Sequence, residues 1–96
     1  MAQSDLEHAA ATATLCYTNS GPPETYVTCD SIAELEAYGF NPSANVMVNG
    51  INASSSDWSA SMQHVNGGSA FTYATFGTSA GQVVEAPRGT GAPPIP

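Results

Sequence analysis

The sequence predicts an α+β fold, in which an N-terminal helix packs on a three- to four-stranded antiparallel meander and a short second helix lies in the connection. Three observations predict this fold. Apolar residues recur at helical spacing near the start of the 96-residue chain, apolar and polar residues alternate after residue 45, and short turn sequences separate the alternating segments. Because the helical and alternating segments occupy separate parts of the chain, the pattern indicates α+β.

The first predicted element is a helix over residues 4–17. Ser4 and Glu7 have the spacing of a capping box, in which each side chain accepts a hydrogen bond from an otherwise unpaired backbone N–H. The segment 19–23 ends the helix, because its Gly permits a left-handed exit and its Pro residues cannot continue the hydrogen-bond ladder. One face of this helix carries the apolar side chains Leu6, Ala10, Ala13 and Tyr17.

A second, shorter helix is predicted from about Asp30 to Tyr38. Asp30 or Ser31 caps its N-terminus, since short polar side chains accept hydrogen bonds from the first unpaired N–H groups. Gly39 ends this helix, and residues 42–43 form a turn. After this turn the hydrophobic period changes from helical to alternating, so the strands begin here.

Alternation predicts three strands, with a short fourth or edge strand as an addition. The sequence Asn66-Gly67-Gly68 indicates a hairpin turn with successive positive φ angles, and residues 77–81 form another turn. Residues 87–96 contain several prolines and no apolar period, so we expect one domain over residues 1–86 and a flexible tail after it. The predicted strands are residues 45–51, 58–64, 70–76 and, as a short edge strand, 82–85.

The second strand has the clearest pattern of a half-buried strand. Its apolar face carries Trp58, Ala60 and Met62, and its polar residues face outward. We expect the small Ala side chains of the first helix to allow a close approach to this face. The predicted outward residues are Ser59, Ser61 and Gln63. The predicted contacts between helix and sheet are Leu6, Ala10, Ala13, Tyr17, Trp58 and Met62.

The charge balance excludes a nucleic-acid-binding surface. The chain has eight acidic residues and Arg88 as its only Lys or Arg, which gives a net charge of -7. Binding to phosphate backbones or anionic membranes requires clustered Lys and Arg. Only 9% of the residues are charged, so the surface is polar and neutral, a composition that favours an extracellular location. No apolar run is long enough to span a bilayer, and the first residues lack the pattern of a signal peptide.

Cys16 and Cys29 are the only cysteines. Their spacing differs from the C-x-x-C of redox pairs, and a zinc site would need the distant His8 and His64. A structural disulfide is therefore the favoured interpretation in an exported protein, with a redox or metal site as the alternative. Closing a loop of this length restricts the unfolded chain by about 3 kcal/mol.

No catalytic or cofactor site is predicted. The sequence has no G-x-S-x-G or H-E-x-x-H motif, and His64 falls on the inward side of a strand pattern. A calcium site is disfavoured because Asp57 is the only charged residue between Asn52 and Asp57. Asn52 begins a glycosylation sequon, which indicates a surface loop. We therefore expect no enzymatic activity, no metal and no cofactor.

The order of these elements resembles the globular domain of type IV pilins and type II secretion pseudopilins. The resemblance covers about residues 3–85, and it is carried by SDLEHAAATATLCY, LEAYGFNPSANVMV, the W-x-A-x-M-x-H strand, the NGG turn and FTYATFGTSAGQVV. It implies that residues 3–17 correspond to the C-terminal half of a long helix whose hydrophobic N-terminal half would come from an upstream segment or a separate helical subunit. The resemblance is closer to pilins, because the acidic calcium cluster of major pseudopilins has no match here.

The resemblance implies a structural subunit of an extracellular, cell-surface filament, with other pilin subunits as partners and this domain exposed to solvent. The chain as it stands is expected to be a monomer. The alternative from another class is a secreted carbohydrate- or protein-binding module, in which Trp58, Tyr26 or Tyr73 would stack on a ligand. A small hydrolase is a third interpretation. Adhesion, motility, DNA uptake and secretion share this scaffold, so the resemblance does not choose among them.

Overall fold

An N-terminal helix packs on one face of a four-stranded antiparallel sheet in the computed structural model, which describes residues 2–96 and confirms the α+β prediction. The strands follow one another in the order β1-β2-β3-β4, so every connection joins neighbouring antiparallel strands. The elements are α1 (Ala2–Thr18), α2 (Ile32–Ala37), β1 (Val46–Ala53), β2 (Trp58–His64), β3 (Ser69–Ala74) and β4 (Val83–Pro87).

Helix α1 starts earlier than predicted. It already includes Ala2, so Ser4 lies inside the helix and the predicted capping box of Ser4 with Glu7 is wrong as a helix start. Ala and Gln are good helix formers, so the residues before Ser4 extend the helix. The first turn is instead fixed by buried Asp5, whose carboxylate accepts hydrogen bonds from the Ser43 N–H at 2.8 Å and the Ser43 hydroxyl at 2.9 Å. A negative charge is favourable at this end of a helix.

Helix α2 is shorter than the predicted segment 30–38. Of the two predicted caps, Ser31 serves as N-cap, and its hydroxyl accepts a hydrogen bond from the Glu34 N–H at 3.3 Å. Gly39 follows the C-terminal end with φ of 101°, a left-handed conformation that glycine adopts without steric cost. The end of α2 is therefore set by the residue that the sequence indicated.

The hairpin between β2 and β3 forms where predicted but with a different turn. Its loop is residues 65–68, and the Gly67 N–H donates to the His64 carbonyl at 3.0 Å. The predicted positive φ angles are absent from Asn66, Gly67 and Gly68. Two-residue hairpin loops require such angles, whereas four-residue loops are usually built on an ordinary type I turn. The longer loop explains why the prediction was wrong.

The hydrophobic core lies between α1 and the inner face of the sheet, which we define as the face that α1 covers. Trp58, Ala60 and Met62 on β2 are fully buried there. Tyr17 lies in the last turn of α1, is half-buried, and contacts the Tyr26 ring with centroids 4.4 Å apart. The buried helix residues of the core are Leu6, Ala9, Ala10, Ala13 and Cys16.

The outer face of the sheet, opposite α1, is also covered. Ser59 and Ser61 are fully buried and Gln63 nearly so, which makes the prediction that they face solvent wrong. The cover is residues 88–96, which we call the C-terminal strap. The sequence predicted a flexible tail from residue 87, but the strap folds back and forms hydrogen bonds with β1 and β2. The strap sequence has no apolar period because hydrogen bonds, and not a face of apolar side chains, attach it to the sheet.

Candidate functional site

The predicted disulfide is present. Cys16 in the last turn of α1 is bonded to Cys29, just before α2, with the two Cα atoms 6.1 Å apart. Both cysteines are buried in the core, and no free cysteine remains. The bond therefore joins the end of α1 to the connection that leads into α2. A disulfide of this kind persists in oxidising compartments, which agrees with an extracellular location.

Trp58 is packed beneath this disulfide. Its indole Nε1–H donates to the Cys29 carbonyl at 2.8 Å, and its ring lies 5.8 Å from the ring of Tyr73. The side chain has no exposed surface. Trp58 therefore holds the Cys29 loop against the sheet and is not available as a platform for a bound sugar.

Three tyrosines lie close together at this end of α1. Burial raises the pKa of Tyr26 above its ordinary value, and repulsion from the negative charges of ionised Tyr73, ionised Tyr17 and Asp57 raises it further, while a hydrogen bond with Thr14 opposes the shift. The Tyr26 phenol is therefore neutral at physiological pH. A neutral phenol packed on another ring is suited to packing and hydrogen bonding, and it supplies no base.

A groove of about 500 Å³ runs between α1 and the edge of the sheet next to Tyr73. Its polar groups are the Glu7 carboxylate, the Thr14 hydroxyl, the Gln82 amide and the phenol of Tyr73. These groups donate and accept hydrogen bonds, so the groove suits an uncharged polar ligand better than an anion. Its remaining lining residues are Ala10, Ala11, Gly81 and Val83.

Both histidines and Asp57 contact other residues of the fold. His8 packs on Phe40 with ring centroids 5.8 Å apart, and His64 Nδ1 accepts the Asn66 N–H at 3.1 Å. Asp57 accepts the Thr75 hydroxyl at 2.9 Å, and Thr75 in turn accepts the backbone N–H of Trp58. Within residues 2–96 there is no group of three or more His, Cys, Asp or Glu side chains that could hold a metal ion.

The outer face carries a polar network that sequence reasoning missed. Ser59 donates to the Pro93 carbonyl at 2.6 Å, and Ser61 donates to the Thr90 carbonyl at 2.5 Å. Gln63 accepts the Gly89 N–H at 2.8 Å with its side-chain oxygen. The signal was present in the alternating Ser-x-Ser-x-Gln of β2, which we interpreted as a solvent-facing pattern. A strand facing water and a strand facing a peptide backbone need the same small polar residues.

Strand β1 completes this network. A bulge between Val48 and Gly50 displaces Asn49, whose Nδ2 donates to the Gln63 side chain at 2.9 Å and to the Thr90 carbonyl at 3.1 Å. Asn52 Nδ2 donates to the Pro93 carbonyl at 3.3 Å, so the sequon side chain already binds the strap. The outer face is therefore a row of hydrogen-bond donors for the carbonyls of an extended segment.

Comparisons with protein-family models, with curated proteins and with solved structures found no match to this chain. No helix among residues 2–96 is long and apolar enough to cross a membrane.

Proposed function

We propose that this chain is the solvent-exposed globular domain of a structural subunit of an extracellular type IV pilus-like filament. The observation that carries the proposal is the way α1 lies on the sheet. Ala9, Ala10 and Ala13 form a small-residue face that packs on the antiparallel meander, and the disulfide ties the end of this helix to the following connection. This is the arrangement that the resemblance to pilin globular domains implies.

The side chains with chemical reactivity also support a structural role. Both cysteines are bonded, both histidines have packing or backbone partners, and Tyr26 is held neutral. A filament subunit needs a stable exterior, and this chain combines a disulfide with a surface on which uncharged polar residues outnumber the charged ones. In the proposed filament, α1 joins a hydrophobic helix supplied by an upstream segment or by a separate subunit.

The experiment is labelling of sheared surface filaments with an antibody raised against this domain. Incorporation should depend on the exposed side of α1, because this side would face neighbouring subunits. Leu15 is 50% exposed on that side, and Val65 is 39% exposed in the distant β2–β3 loop. We expect Leu15→Lys to reduce filament labelling strongly, while the matched Val65→Lys leaves it unchanged. The proposal would be contradicted if the domain were found only in the culture fluid and the filaments were not labelled. Labelling of secretion-system filaments alone would identify a pseudopilin.

A secreted carbohydrate-binding module is the second candidate, and the groove beside Tyr73 is the observation that favours it. The groove offers one aromatic ring together with carboxylate, hydroxyl and amide groups. Titration with a panel of neutral oligosaccharides tests this function, with Tyr73→Ala as the binding variant. Binding that Tyr73→Ala removes would establish this module, and no binding by the unmodified protein would reject it.

A further inference from the structure

The Arg88 guanidinium holds the start of the C-terminal strap by donating to the carbonyls of His64, Val65 and Gly67. Residues 89–96 are held through their own backbone. Asn49, Asn52, Ser59 and Ser61 donate to the carbonyls of Thr90, Ala92 and Pro93, and most of the strap's side chains remain partly or fully exposed. Hydrogen bonds to main-chain carbonyls do not depend on which molecule carries those carbonyls. The outer face of one copy therefore fits the strap of another copy as well as its own.

Small residues make this fit possible. An added Cβ at Gly50 would lie 3.4 Å from the backbone nitrogen of Ala92, so the strap passes close over β1. Ala70 is fully buried beside Gln63 on the neighbouring strand. A flat face of small and polar residues accepts an extended proline-containing segment, whose backbone is well suited to recognition because it is already stiff.

One tight turn directs the strap back onto its own sheet. The Thr90 N–H donates to the Pro87 carbonyl at 3.0 Å, which closes a turn over residues 87–90. Gly89, inside this turn, has φ of 88°. If the turn opened, the strap would leave its own sheet and reach outward. The left-handed conformation at Gly89 is needed for the closed turn and not for an extended connection.

We propose that two copies of this chain exchange their straps, each laying residues 89–96 on the outer face of the other. The exchanged pair forms the same hydrogen bonds between residues 89–96 and the outer face as the monomer, and it loses the contacts of Thr90 with the Pro87 carbonyl. Arg88 stays on its own chain, where its guanidinium donates to the carbonyls of His64, Val65 and Gly67. Short hinge segments under conformational constraint are the usual origin of such exchange. The partner is a second copy of this chain, and the inference does not depend on the filament proposal.

Charge sets the conditions for the exchange. The net charge of -7 on each copy opposes association at low ionic strength. At about 1 M salt the Debye length falls to about 3 Å, which removes most of this repulsion. The monomer is thus the expected form in dilute low-salt solution, and exchange is expected at high protein concentration and high salt.

The test uses the full chain with a photo-reactive benzophenone side chain at Pro94, which is exposed near the end of the strap. Irradiation links the strap to the face on which it lies, and denaturing gels separate links within a chain from links between chains. Equal amounts of isotopically heavy and light protein are mixed, so that mass spectrometry of the linked peptides identifies the two partners. Exchange predicts heavy–light links from residue 94 to β1 or β2, increasing with protein concentration and with salt.

Two glycine variants separate exchange from ordinary association. An alanine Cβ has open space at both Gly89 and Gly91, but only Gly89 has the left-handed φ. Gly89→Ala should therefore destabilise each closed turn by about 5- to 30-fold, and because the exchanged pair opens two turns, it should raise the ratio of linked dimer to monomer by about 25- to 900-fold where monomer predominates. The matched control Gly91→Ala should leave the ratio within about twofold of the original protein, as expected for a substitution with no named structural cost.

A third variant checks that the contacts are the same in both forms. Ser59→Ala removes one hydrogen bond to the strap from the monomer and the same bond from the exchanged pair, so the dimer-to-monomer ratio should not change. Links confined to single chains at every concentration and salt would overturn the proposal. So would interchain links that avoid β1 and β2, or equal ratios for Gly89→Ala and Gly91→Ala. Circular dichroism of each variant checks that it is folded before irradiation.

Discussion

Replacing Trp58 by Ala should remove a large part of the stability of this domain. The Trp58 side chain is fully buried between α1 and the sheet, and its indole N–H donates to the Cys29 carbonyl at 2.8 Å. Truncation of a buried Trp to Ala costs about 3 to 5 kcal/mol, because it removes apolar contacts and leaves a cavity. We expect the upper half of this range, since the Cys29 carbonyl also loses its partner.

The size of the domain makes this loss easy to measure. At about 0.05 to 0.15 kcal/mol per residue, the free energy of unfolding of a 96-residue domain is about 5 to 14 kcal/mol. Trp58→Ala should therefore lower the urea midpoint substantially, or unfold the protein where the original stability is small. Far-UV circular dichroism is the suitable signal, because the variant lacks the only tryptophan.

Two controls separate packing from the hydrogen bond. Trp58→Phe keeps much of the apolar bulk but leaves the Cys29 carbonyl unpaired, so it should cost about 1 to 3 kcal/mol. Val65→Ser, in the exposed loop between β2 and β3, should stay within about 0.5 kcal/mol of the original protein. A loss below about 3 kcal/mol for Trp58→Ala would refute the reasoning, since this is the lower limit expected for truncation of a buried Trp.

Three further perturbations test other parts of the fold. The double variant Cys16→Ser with Cys29→Ser should lose about 3 kcal/mol of unfolding free energy, and alkylation with mass measurement before and after reduction should show no free thiol in the native protein. Asp5→Ala should cost about 1 to 3 kcal/mol in urea unfolding, because the Ser43 N–H loses its acceptor, and a neutral result would contradict this. Since the folded pKa of Tyr26 is raised, its contribution to stability should be fully present below about pH 10 and be lost as pH rises above it, so Tyr26→Phe should reduce the alkaline loss of unfolding free energy in urea titrations between about pH 9 and 11.

The inner half of the fold was predictable from the sequence because it follows the hydrophobic period. Strand β2 occupies the predicted residues, and Leu6, Ala10 and Ala13 lie in the core with Trp58 and Met62. In this half, the apolar residues of the hydrophobic period are the buried ones, since α1 covers one face of the sheet. Element ends were less accurate, because capping and turn geometry depend on a few polar contacts, such as that of Asp5 with Ser43.

The outer half was not predictable from period alone. The residues of the strap have no repeated apolar spacing, and its partners Ser59, Ser61 and Gln63 look like solvent-facing residues. An alternation of polar residues does not indicate whether each polar side chain forms its hydrogen bond with water or with a backbone carbonyl. The β1 bulge that places Asn49 against the strap also has no marker in the alternation itself.

The two faces of the sheet are covered by different physical means, and this difference connects the fold with the proposed assembly. On the inner face, apolar side chains such as Leu6 and Met62 are fully buried, so separating α1 from the sheet would expose them to water and cost hydrophobic free energy. On the outer face, hydrogen bonds to the strap replace hydrogen bonds to water, and each contributes only about 0.5 to 1.5 kcal/mol net. The outer cover is therefore the part of the domain that opens at lower cost, while the disulfide and α1 keep the core intact. A domain built in this way can exchange its strap with a second copy without unfolding its core.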